Sequence, residues 1–212
     1  MRTFRIAVLA SGTGTNLQAI LDALHGRDGI EVVCVASNRR DARALGRAAD
    51  ADVEIGVFPR SGHNDRAKRD AAMADWLADR LVDLIVLAGY MELLSPEFVR
   101  RFPNRIVNVH PALLPSFAGL DAIGQALEHG VRVTGVTVHF VDEGVDSGPI
   151  ILQRPVDVPY TRDRSQLEAA IHEVEHQLLP EAIRLIASGA VRTDPENPRL
   201  VRIEAAQERV DG

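Results

Sequence analysis

Cysteine is almost absent from this 212-residue chain. Cys34 stands alone, so an intrachain disulfide and a cysteine-built zinc site are both excluded. Long apolar runs are missing too: none approaches the roughly 20 residues that a membrane-spanning helix requires. The apolar stretch behind Met1-Arg2-Thr3-Phe4-Arg5 stops at Ser11, too early for a secretory signal with its cleavage site. A cytoplasmic protein with no membrane partner is the expectation. Positive charge is in deficit, with 24 Lys and Arg against 30 Asp and Glu and a net charge of -6. That balance argues against general nucleic-acid binding, which needs a basic face, but leaves room for a pocket that takes one phosphate. Aromatic residues make up only 4%, so the core has to be built from Ala, Val, Leu and Ile. With 46% hydrophobic and 25% charged residues, the chain can still bury an ordinary core.

What is present alternates between strand and helix signals. Phe4 to Ala10, Ile30 to Ala36, Asp52 to Phe58, Leu84 to Ala88 and Ile106 to Val109 read as strands, the apolar ones as strands buried on both faces. Between them, Thr15 to Leu24 carries Leu17, Ile20, Leu21 and Leu24 at helical spacing. Asp41 reads as the N-cap of an Ala-rich helix. Asp65 to Arg80 predicts an amphipathic helix with Ala72, Trp76 and Leu77 on one side. Ser95-Pro96-Glu97 combines an N-cap, an N1 proline and an early acid, the chemistry of a helix start. Further on, Ala122 to Glu128 and Arg164 to Ala187 read as helices, the latter with a kink at Pro180. Val131 to Phe140 and Ile150 to Val158 read as strands, and Leu200 to Ile203 as a late edge strand ahead of frayed terminal residues. The alternation predicts an α/β fold: a mainly parallel, doubly wound sheet with helices on both faces.

Ser11-Gly12-Thr13-Gly14-Thr15-Asn16 joins the first strand to the first helix. Glycines let the backbone turn tightly and approach a ligand, and a helix start offers unpaired N–H groups to an anion. No Gly-Lys-Ser/Thr follows, and Leu17 stands where a dinucleotide fingerprint wants its third glycine. A small phosphate site and a plain tight turn are the two readings.

Asn108-Val109-His110-Pro111 follows one strand, and Val145-Asp146-Ser147-Gly148-Pro149 follows another. An amide, an imidazole and a carboxylate thus fall near strand ends, the edge where open α/β sheets bind ligands. No Ser or Cys nucleophile accompanies them, so the substrate would bring its own. Asn108 and a protonated His110 are two apart and can donate to one developing oxyanion. Asp146 can favour the imidazolium and relay a proton through water. The alternative makes Asn108 a loop cap, His110 a structural hydrogen bond and Asp146 a turn residue. His139 reads as a core or supporting histidine. His172-Glu173 and His176 match the H-E-x-x-H spacing of zinc proteases, but zinc would also need a third protein ligand and an open position, and the helix reads as surface-amphipathic, so no metal is expected.

These blocks resemble one family closely, the folate-dependent phosphoribosylglycinamide formyltransferases. The likeness runs through Ser11-Gly12-x-Gly14-x-Asn16-Leu17-Gln18 and Val86-Leu87-Ala88-Gly89-Tyr90-Met91. It continues through Asn108-x-His110-Pro111-Ala112-Leu113-Leu114-Pro115, Val138-His139-Phe140-Val141 and Asp146-Ser147-Gly148-Pro149-Ile150. The resemblance implies a Rossmann-like formyltransferase fold in a single domain, residues 1–212, acting as a monomer or homodimer. Residues 1–104 would form the phosphate-binding half, 105–192 the catalytic and folate-binding half, and 193–212 a polar tail. It implies transfer of a formyl group from 10-formyltetrahydrofolate to the amine of glycinamide ribonucleotide in purine (IMP) synthesis. Asn108, His110 and Asp146 would be catalytic. Gly12, Thr13, Gly14, Thr15 and Asn16 would hold the substrate phosphate and Glu175 its ribose. Arg66, Met91, Glu92, Leu93, Leu94 and Asn108, with the loop of Val141, Asp142, Glu143, Gly144, Val145 and Asp146, would receive the folate. Another acceptor amine, or a folate- or nucleotide-binding protein with weakened catalysis, is the alternative.

Three positions depart from the family pattern. Glu92 stands where arginine is usual, which predicts a weaker hold on the folate's glutamate tail. Ala118 replaces a proline. Asp121 stands where a histidine is common near the catalytic acid, and a second carboxylate there predicts a raised pKa for one of the two.

Overall fold

Apolar runs with no polar face can only be satisfied between two layers of helix, and the chain folds accordingly. The computed structural model describes residues 2–60, 66–161 and 163–204. Its first half runs β1 (Phe4–Leu9), α1 (Thr15–Leu24), β2 (Ile30–Ser37), α2 (Arg43–Asp50), β3 (Glu54–Val57), α3 (Arg66–Asp79), β4 (Leu84–Leu87), α4 (Pro96–Arg101) and β5 (Ile106–His110). The second half adds α5 (Ala122–Glu128), β6 (Val133–Phe140), β7 (Ile150–Asp157), α6 (Arg164–Ala187), β8 (Val191–Thr193) and β9 (Val201–Ile203). Seven strands form one sheet in the order β3-β2-β1-β4-β5-β6-β7. Pairing is parallel from β3 to β5 and antiparallel at β5–β6 and β6–β7. This is the mainly parallel, doubly wound sheet that the alternation predicts, in the Rossmann-like arrangement that the resemblance implies.

Successive residues of a strand face opposite layers. Ile6, Val8, Leu84 and Val86 join α1, α2, α5 and α6 in one core, while Ala7, Leu9, Ile85 and Leu87 join α3 and α4 in the other. A register shift keeps β2 in phase: Ile6 pairs with Val32 but Ala7 with Cys34, which leaves Val33 as the extra residue. All four residues of β4 are buried, and a side chain of that kind contributes roughly 1.5–3 kcal/mol when removed from water. On α3 the buried residues are Arg69, Asp70, Met73, Ala74 and Leu77. Ala72 and Trp76, expected on that face, are only half-buried. Residue 65, taken as the start of this helix, lies outside the described residues, as do the terminal residues from 205 on.

Other expectations need correction. Asp41 caps nothing: α2 starts from Ala42 with no side-chain cap, and Asp41 instead pairs with Arg39 at 2.8 Å. Val201–Ile203 does not extend the main sheet. It pairs antiparallel with β8, a strand too short to leave a periodic signal, in a separate two-stranded ribbon. Ser95 does cap α4, its hydroxyl accepting from the Phe98 amide at 3.3 Å, with Pro96 at N1. Among the described residues no helix is long and apolar enough to cross a membrane.

The sheet order reverses direction between β1 and β4, the crevice where such sheets bind ligands. Leu9 pairs with Leu87 and Leu87 with Asn108, so β5 runs two residues past the level at which β1 and β4 stop. The β1–α1 turn at this edge is tightly built. Gly14 sits at φ 73, and a Cβ on it would lie 2.7 Å from the Ala44 Cα. Gly14→Ala therefore carries both backbone strain and a clash with α2. It should lower stability by about 2 kcal/mol, read as a fall in the thermal unfolding midpoint.

Candidate active site

Asp146 gathers the candidate catalytic residues. Its backbone is left-handed at φ 49, a conformation that aspartate tolerates better than most residues. Oδ2 accepts from the Gly119 amide at 2.8 Å and lies 3.4 Å from His110 Nδ1. Oδ1 accepts from Asn108 Nδ2 at 3.3 Å and lies 3.6 Å from His139 Nε2. Burial alone would push this carboxyl up. The His139 ring, the Gly119 N–H and the charge of His110 outweigh it and hold the group below its ordinary value.

The expected trio is thus assembled, though by a different route. The antiparallel β6 ends at Phe140 opposite Val107, low on β5, so the following loop does not begin at the ligand edge. The 141–149 loop has to fold back to bring Asp146 to Asn108. Asn108 also lies two residues inside β5 rather than at its end. Opposite Asn108 in the register is His139, which the spacing marked only as a supporting residue. Its Nδ1 is 2.8 Å from the Phe140 carbonyl and so carries a proton there. Nε2 faces both Asn108 Nδ2 at 3.2 Å and Asp146 Oδ1 at 3.6 Å, and it is the proton on Nε2 that lets the ring support the carboxylate. The Asn108 amide therefore lies against the His139–Asp146 pair and donates to Oδ1. His110 is buried, with Nε2 2.9 Å from the Phe117 carbonyl. Both of its nitrogens face acceptors, and only a doubly protonated ring donates to both.

Asp121 does not approach this carboxylate. It caps α5, accepting from the Gly124 amide at 3.3 Å, and pairs with Arg164 at 2.8 Å. The Arg164 hydrogen bond holds Asp121 low, and Asp146 is lowered rather than raised. The expected carboxylate pair does not form because Arg164 draws Asp121 toward the start of α6. Among the described residues the Ala118 amide bonds no acceptor, so a proline would lose nothing there.

At the start of α1, Gly12 and Thr13 are exposed and Gly14 is the N-cap with no side-chain cap, which leaves the amides of Thr15, Asn16 and Leu17 uncapped. Asn16 Nδ2 donates to Glu175 Oε2 at 3.0 Å, while Asn16 Oδ1 is buried without a partner among the described residues. Glu175, itself buried, also meets His172 Nδ1 at 2.8 Å. That hydrogen bond raises His172 above the usual imidazole value, while burial, followed by the charge of His172, lowers His176. The two rings stack with centroids 6.2 Å apart. Among the described residues no group of three or more His, Cys, Asp or Glu is set to hold a metal. No motif marks Arg47, yet it flanks this loop: Nε donates to the Thr13 carbonyl and Nη1 to Gln18, both at 2.9 Å.

Beyond β4, Met91 and Leu93 are exposed while Glu92 and Leu94 are half-buried. Glu92 is not an isolated charge reversal. Its Oε2 lies 3.4 Å from Arg69 Nη1, so a buried guanidinium answers it. Arg66 opens α3 and is exposed. In the 141–149 loop, Val141 packs on the α3–α4 core and donates to the Ile106 carbonyl at 2.9 Å. Asp142 accepts from the Gly144 amide at 3.0 Å and the Ser147 hydroxyl at 2.7 Å. Glu143 pairs with Arg100 at 2.9 Å, and Val145 is exposed.

A model of the formyl transferase family matches residues 4–183. A phosphoribosylglycinamide formyltransferase from Haemophilus influenzae is 44% identical over 189 residues, 89% of each chain. The trifunctional purine biosynthetic protein adenosine-3 of Bos taurus is 42% identical over 92% of this chain and 19% of its own length. The crystal structure of glycinamide ribonucleotide transformylase 1 from Symbiobacterium toebii superposes with a TM-score of 0.91 at 48% identity, covering 96% of this chain and 95% of that one. The Asp146-centred cluster thus sits in a fold and a sequence framework that relatives share almost from end to end, and the chain belongs to the formyl transferase family.

Proposed function

We propose that this chain transfers the formyl group of 10-formyltetrahydrofolate to the primary amine of glycinamide ribonucleotide in purine (IMP) biosynthesis. The observation that carries the reading is the convergence of Asn108, His110 and Asp146 without a protein nucleophile, in a chain whose relatives bear that activity in their names. The amine lone pair attacks the formyl carbon, and the carbonyl π pair moves onto oxygen. Asn108 and His110 donate to that oxygen as its charge grows. The C–N10 bond then breaks, and the amine's proton passes through water to the folate nitrogen, with Asp146 orienting His110 and guiding the water. His139 keeps the Asn108 amide oriented.

The substrate phosphate rests on Gly12, Thr13, Gly14, Thr15 and Asn16, where the uncapped start of α1 favours an anion. Glu175 takes the ribose hydroxyls with Oε1, which makes no hydrogen bond to the described residues. Folate lies along Met91, Glu92, Leu93 and Leu94, beneath the 141–146 loop and near Arg66. The folate is a co-substrate, and no metal has a role in this scheme. Residues 1–104 are in this view the phosphate-binding half and 105–192 the catalytic half. A cytoplasmic setting suits the one thiol, Cys34, which burial pushes up to about 12 and keeps inert.

Following folate deformylation with and without glycinamide ribonucleotide tests the reading. Turnover that requires the ribonucleotide supports it. Loss of formyl without the ribonucleotide, turnover only with another amine, or binding without turnover contradicts it.

His110→Ala removes a donor that matters only once the oxyanion forms. It should lower kcat about 10²–10³-fold and leave both KM values nearly unchanged, as steady-state kinetics will read.

Asp146→Asn retains the left-handed backbone but not the charge. It should lower kcat about 10²–10⁴-fold. The carboxyl's depressed pKa adds stability that is present above the unfolded value of about 4 and lost as pH falls through the folded value. The gap in melting temperature between parent and Asp146→Asn should therefore shrink as the pH drops below about 4, and a gap that widens there contradicts the assignment.

A further inference from the structure

The most deeply buried cation of the described residues lies outside the catalytic cluster. Arg69 is 1% exposed and its neighbour Asp70 is fully buried. A guanidinium in such a place persists only if its charge is answered and its donors are used. Asp70 supplies one partner: Nε donates to Oδ1 at 2.9 Å, and Nη2 lies 2.8 Å from the same oxygen as an ion pair outside hydrogen-bond geometry. Glu92 supplies the other through Nη1. The Tyr90 hydroxyl is buried close by with no partner among the described residues, and burial pushes it up to about 12, so it stays neutral and adds no compensating charge.

The two acids lead to different points of one segment. Asp70 Oδ2 accepts from the Ser95 amide at 2.6 Å, fixing its far end. Glu92 fixes its middle. The near end is held from β1: the Ser11 amide donates to the Gly89 carbonyl at 3.0 Å, and the Ser11 hydroxyl accepts from the Met91 amide at 2.8 Å. Pinned this way, residues 89–95 turn Met91 and Leu93 outward, 71% and 59% exposed. The amides of Glu92, Leu93 and Leu94 bond no acceptor among the described residues.

We infer that Arg69 is a positioning residue for the formyl donor: through Glu92 and Asp70 its buried guanidinium holds the 89–95 segment in the shape that meets the folate. This rests on the placement of folate along Met91–Leu94 proposed above. A planar fork can serve two carboxylates at different angles, which an ammonium cannot. The guanidinium touches neither substrate and acts only through the backbone it holds.

Steady-state kinetics of Glu92→Gln, Arg69→Met and the double variant, with both substrates varied, test this. Glu92→Gln and Arg69→Met should each raise KM for formyl-folate roughly tenfold and change KM for the ribonucleotide by less than about twofold. The double variant should be no worse than Arg69→Met alone, because the two residues act as one unit. A folded Glu92→Gln enzyme with unchanged folate KM, or with both KM values raised together, overturns the inference. Glu92 is partly solvent-exposed, so this isosteric variant carries the test if Arg69→Met does not fold. Leu93→Asp separates the two readings. If it raises folate KM while Glu92→Gln does not, only the positioning role fails. If it leaves folate KM unchanged, the folate placement and the inference fall together.

Discussion

The site depends on one half-buried carboxylate that cannot stay charged without partners. Reaching out from a left-handed turn of its own loop, Asp146 finds them on β5, on the 111–121 loop and on β6. None of these segments supplies enough alone. Desolvation opposes the charge, and a single 3.3 Å amide contact would not offset it. The Gly119 amide and the two rings together do, so the carboxylate holds the loops in place as much as they hold it. The antiparallel return of β6 makes this possible by setting His139 opposite Asn108.

Legibility followed the range of the interactions. Burial on both faces writes itself into consecutive residues, so Leu84–Leu87 and Ile30–Ser37 were readable, and α6 was readable over its full extent from Arg164 to Ala187. Local capping at Ser95 was readable for the same reason. Asp41 looked equivalent, but an aspartate can cap a helix or pair with a neighbouring cation, and here Arg39 is two residues away. Strand direction was hidden at β6. An apolar run carries no sign of whether its partner is parallel, so the edge argument that put Asp146 beside Asn108 and His110 does not hold there, although the three side chains do meet.

Charge was the least readable property. Taken singly, Glu92 and Asp121 are an acid in place of a base and an acid beside an acid. Their partners are Arg69, in the preceding helix, and Arg164, which lies 43 residues downstream. The first charge is answered in the interior, and the second is drawn away from Asp146. A sequence gives no distances, so a compensated substitution reads the same as an uncompensated one. His139 was underweighted for a related reason: a histidine within a strand gains meaning only once the register names its neighbour.

The donors of the cluster already have acceptors in this structure, and that bears on how they would serve catalysis. His110 Nε2 faces the Phe117 carbonyl, and Asn108 Nδ2 faces Asp146 and His139. A formyl oxygen in the ground state is a neutral acceptor and offers His110 little that Phe117 does not. As the amine attacks, that oxygen becomes an anion, and a charge-assisted hydrogen bond is roughly twice as strong as a neutral one. Exchange of the Phe117 carbonyl for the oxyanion thus becomes favourable only as the reaction proceeds, which is the differential binding that lowers a barrier. The same exchange is harder for Asn108, whose amide protons face a carboxylate. In the proposed scheme His110 therefore contributes the larger share of oxyanion stabilisation, and Asn108 works chiefly by holding Asp146 in line.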